Sequence, residues 1–151
     1  MPTDSVVARM LYDALEDPAS RTPSDLRGAY EAELRTVVET LGVEHVAGET
    51  GIESARLERL AAGDAVPEVT LEEAAAILAL APSSPDADVV VAEVRDHLLM
   101  GMTTGVLDVD AIASNIDADL TGQEIQQAIE GRVPMTIEQL AEIQQFVESR
   151  Q

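Results

Sequence analysis

The chain contains no cysteine, no tryptophan and no lysine, and its aromatic complement is two tyrosines and one phenylalanine. Without cysteine, disulfides and thiolate metal sites are excluded. Without large rings, the core must close through small and medium aliphatic side chains, which suits helices that approach closely on Ala and Leu. No apolar run approaches the ~20 residues needed to span a bilayer. The opening residues MPTDSVVARM also lack the basic-then-apolar pattern of a secretion signal. A soluble cytoplasmic protein without a membrane partner is expected.

Positive charge is scarce as well: nine arginines face 29 acidic residues, a net charge of −20 over 151 residues. Acidic excess alone can signal disorder, but 46% hydrophobic residues in regular periodicity argue against that class. A second class is a nucleic-acid mimic, with carboxylates spaced like phosphates. The third is adaptation to a salty cytoplasm. Self-repulsion destabilises a highly charged fold, yet at about 1 M salt the Debye length is only about 3 Å and the repulsion is screened. With no lysine at all, the composition resembles that of haloarchaeal cytoplasmic proteins. On that reading the charge describes the solvent more than the partner.

What is present is helix signal throughout. Val6, Met10, Leu11 and Leu15 recur at helical spacing, so a short helix is expected before Asp17-Pro18, followed by a linker to residue 21. Thr22-Pro23-Ser24-Asp25 has the form of a helix start, with proline in the first turn. The helix it opens should run to Leu41 and stop at Gly42, with Leu26, Tyr30, Leu34, Val37, Val38 and Leu41 as one apolar stripe.

Two copies of one pattern follow, VEHVAGETGIESARLERLAAGDAVPEVTLEEAAAILAL at 43–80 and VDAIASNIDADLTGQEIQQAIEGRVPMTIEQLAEIQQF at 109–146. Val46-Ala47 matches Ile112-Ala113, and Thr70-Leu71 matches Thr136-Ile137, both offset by 66 residues (112 − 46 and 136 − 70). The middle helices match at an offset of 68, Gly63 falling on Gly131 (131 − 63). Each last helix opens with a capping signature, Thr70 with Glu73 and Thr136 with Gln139. The preceding helix repeats too, residues 25–41 shifted by 66 falling on 91–107. Its stripe of Val89, Val90, Val91, Val94, Leu98, Leu99, Met100 and Met102 reads as core shared between the halves, with a dimer interface as the alternative. The expected division is an N-terminal helix and linker at 1–21, one helical unit at 22–82 and a second at 83–151.

Each copy resembles the phage-repressor-like (Cro and repressor type) helix-turn-helix domain. The resemblance is carried by Val46-Ala47, Gly51-Ile52, Leu57 and Gly63 in the first copy, and by Ile112-Ala113, Leu120, Ile125, Gly131 and Pro134 in the second. It implies an all-α fold of tandem helix-turn-helix repeats, about eight helices in all. The second copy departs from the pattern at Asp119, where the family has glycine, and by the insertion 115–118. The first has Glu53 in place of a Ser or Thr cap. The whole chain also resembles short acidic haloarchaeal proteins of unknown function.

In this family the second helix enters the major groove and its first residues meet base edges. The resemblance therefore implies contacts to double-stranded DNA from Ser54, Arg56 and Arg59 in the first copy, and from Thr121, Gln123, Gln126, Gln127 and Arg132 in the second. Arginine pairs with guanine and glutamine with adenine in bidentate fashion, and Arg132 is placed to clamp a phosphate. Family members often bind as homodimers. Against this stands the electrostatic cost: non-specific affinity comes from phosphate neutralisation, whereas Glu53, Glu58 and Glu124 would face phosphates. The expected function is a small DNA-binding transcriptional regulator. The alternative is a degenerate helix-turn-helix module that binds a protein partner, as scaffold or inhibitor, without DNA.

Catalytic signals are thin, and neither an enzyme nor a cofactor is expected. Asp86-Ala87-Asp88 and Asp108-Val109-Asp110 could hold Mg²⁺ but fall at helix starts, where aspartate caps and answers the helix dipole. His45 and His97 lie on different helices, and no glycine-rich phosphate loop is present.

Overall fold

A computed structural model of the chain describes residues 22–82 and 84–150. These form eight helices: α1 (Pro23–Leu41), α2 (Val43–Thr50), α3 (Ser54–Ala61), α4 (Leu71–Leu78), α5 (Ala87–Gly105), α6 (Val109–Asn115), α7 (Gly122–Ile129) and α8 (Ile137–Ser149). The fold is all-α; no strand occurs among the described residues. The apolar stretch around Val6–Leu15 lies outside them.

Local chemistry sets the helix starts. Thr22 and Asp25 form a reciprocal capping box at α1, with Pro23 in its first turn. Thr70 and Glu73 do the same at α4, Thr121 and Glu124 at α7, and Thr136 and Gln139 at α8. Each box satisfies two amides that the helix itself leaves unpaired. Asp108 caps α6 by accepting from the Ala111 amide at 2.8 Å, a structural use for one of the aspartate pairs. Asp86 precedes α5 without such a bond, and Glu53 precedes α3 likewise uncapped.

The eight helices pair off in two matching sets. α1 packs on α8 and α4 on α5, so the first helix of each half rests on the last helix of the other. Within the halves, α1 meets α3 and α4 as α5 meets α7 and α8, and α2 meets α3 and α4 as α6 meets α7 and α8. The two halves also meet at their last-helix caps. There the Leu71 amide donates to the Met135 carbonyl and the Ile137 amide to the Val69 carbonyl, both at 2.7 Å, giving one antiparallel bridge between Thr70 and Thr136. These are residues related by the 66-residue offset, so the repeat pairs with itself.

For the long helices the structural register is 64 rather than 66. The buried positions Leu26, Tyr30 and Leu34 of α1 correspond to Val90, Val94 and Leu98 of α5. The difference arises because burial, rather than distance to the following copy, fixes which face a helix turns inward. One core runs through both halves, from Leu26, Leu34 and Leu57 to Ile112, Ile125, Met135 and Ile143. Tyr30 and Gln144, neither of them solvent-exposed, carry its main polar contact, the tyrosine hydroxyl donating to the Gln144 side-chain carbonyl. Glu31, also buried, accepts from the Val66 amide at 2.7 Å.

Candidate nucleic-acid interface

The two short helices that would read bases are amphipathic and mounted by apolar anchors. Leu57 and Leu60 bury one side of α3, and Ile125, Ala128 and Ile129 bury one side of α7. The connection from α2 to α3 takes three residues, 51–53, with Gly51 in the left-handed conformation at φ 77°. That from α6 to α7 takes six, 116–121. The extra residues therefore open the second turn, where Glu142 of α8 accepts from the Ala118 amide at 2.8 Å.

On α3, Ser54 and Arg59 are exposed and Arg56 is half-buried. Neither arginine reaches outward unaccompanied. The Arg56 Nη1 lies 2.6 Å from Oε1 of Glu73, the same carboxylate that caps Thr70. Arg59 is paired with Glu68, and both arginines help hold the Glu68 carboxyl below its ordinary range, after that residue's own backbone hydrogen bond and the Arg59 hydrogen bond. The four side chains, with Glu53 and Thr70, line a cleft of about 520 Å³ beside α3. Both guanidinium groups that would meet a phosphate are thus paired with carboxylates of the same chain, the Arg59 pair at the surface.

On α7, Gln123 and Gln126 are exposed and Gln127 half-buried. Thr121 is committed to the cap, accepting from the Glu124 amide at 3.1 Å. Gln126 donates to Glu130 at 3.2 Å, and Arg132, its side chain 73% exposed, sits 3.3 Å from the same carboxylate. The structure thus brings Gln126, Glu130 and Arg132 together on one ridge, while Arg56 and Arg59 belong to a separate, internally compensated cluster. Glu68 and Glu73 have no role in the sequence reading of the interface, because ion pairs across nine and 17 residues of chain leave no periodic trace.

Other surface features compete for attention. A crevice of about 870 Å³ opens between the starts of α1 and α8. Arg27 there is taken by Glu138 at 2.7 Å. Among the described residues no group of three or more histidine, aspartate or glutamate side chains is arranged to hold a metal ion. None of the described helices is long and apolar enough to cross a membrane. The α5 stripe divides: Val90, Val91, Val94 and Leu98 are core, whereas Val89, Leu99 and Met100 stay exposed, as does Val106 beyond the helix end.

Residues 26–150 match the model of a family of unknown function, DUF5791. The chain belongs to this family. The match takes in all of α2 to α8 and nearly all of α1, so the paired helical architecture is the architecture of the DUF5791 region. No curated protein and no solved structure matches the chain.

Proposed function

We propose that this DUF5791 chain acts through protein–protein contact, as an interaction module built from helix-turn-helix-like units, rather than as a DNA reader. The carrying observation is the fate of its cations. Of the described arginines, Arg27, Arg56, Arg59, Arg95 and Arg132 each pair with a glutamate. Arg35 donates to the Leu60 carbonyl, and Arg150 lies 4.8 Å over the Phe146 ring. DNA affinity rests largely on phosphate neutralisation, and most of these guanidinium groups already face a carboxylate of the same chain. A protein partner makes no such demand, since interface affinity comes from a few buried anchors.

One observation favours the second reading, a DNA-binding transcriptional regulator. Gln123 and Gln126 are exposed on α7 beside the outward Arg132, in the arrangement that bidentate adenine recognition and a phosphate contact would use. In molar salt, where repulsion is screened, such a reader would depend on base edges. The test is fluorescence anisotropy of labelled random duplex DNA titrated with the full chain in roughly 2 M KCl. The interaction module gives no saturable binding. Saturable binding that Gln126→Ala or Arg132→Ala weakens would transfer the function to α7 and DNA.

A further inference from the structure

We draw no further inference here: the strongest candidate, the crevice of about 870 Å³ between the starts of α1 and α8, is an acidic cluster whose one arginine, Arg27, is already held by Glu138 at 2.7 Å, and nothing else in it points to a ligand.

Discussion

The buried pair Tyr30–Gln144 offers the sharpest test of how α1 is held on α8. Neither residue is exposed to solvent, the tyrosine hydroxyl donates to the glutamine carbonyl, and the Gln144 Nε2 has no hydrogen-bond partner. Tyr30→Phe strips the amide of its one bond and leaves it stranded in an apolar core. A buried polar group without a partner costs about 1–3 kcal/mol, which in a domain of this size lowers the melting midpoint by several degrees. Gln144→Leu strands the tyrosine hydroxyl at a similar cost, partly offset because it also removes the unpaired amide nitrogen. The double variant Tyr30→Phe/Gln144→Leu leaves nothing unpaired and keeps the volume, so it should lie within about 1 kcal/mol of wild type. Urea denaturation followed by helical circular dichroism, at constant salt, measures all four corners of the cycle. Additive losses in the double variant, or a neutral Tyr30→Phe, would refute the claim that this bond is what makes the pair tolerable.

Burial, reinforced by the Glu148 charge, pushes the Tyr30 phenol well above its ordinary value. Its stabilising effect is intact below the unfolded pKa near 10 and is lost as pH rises above it, by up to about 1.4 kcal/mol per pH unit. Denaturation midpoints measured from neutral to alkaline pH should fall above about pH 10, and Tyr30→Phe should flatten that fall. Gly131 has φ 82° with Arg95 atoms 2.7 Å from where a Cβ would lie, whereas Gly63 at φ 91° has open space around it. Both alanine substitutions therefore carry a backbone cost of about 1–2 kcal/mol, but Gly131→Ala should cost more because it also displaces Arg95 from Glu72. Thermal melts of the two variants compare them directly. Glu73→Gln should keep the α4 cap, as Gln139 does on Thr136, and release Arg56. Its cost should stay under about 1 kcal/mol, as for other partly exposed ion pairs, and a larger loss would show the Arg56 pair to be structural.

Much of the fold is legible in the sequence because its instructions are local. Thr22-Pro23-Ser24-Asp25, Thr70 with Glu73, and Thr136 with Gln139 each announce a helix start within four residues, and the caps form as written. Gly42 stops α1 with φ 93°. The crossed packing of α1 on α8 and α4 on α5 is not legible, since Arg27 meets Glu138 across 111 residues and no periodicity encodes such a pairing. The candidate site fared differently. The arginines and glutamines fall on helix faces away from the core, but their carboxylate partners come from other elements, and those decide whether the charge is available. At Gly105–Val106 the helix runs through the glycine and the left-handed position falls to valine.

The most direct measurement is amide chemical-shift mapping of the full chain in roughly 2 M KCl, titrated with random duplex DNA. The account predicts no progressive shifts with DNA on either α3 or α7. Saturating DNA-induced shifts at Ser54–Arg59 or at Gln123–Arg132 would contradict it and return the function to nucleic-acid recognition.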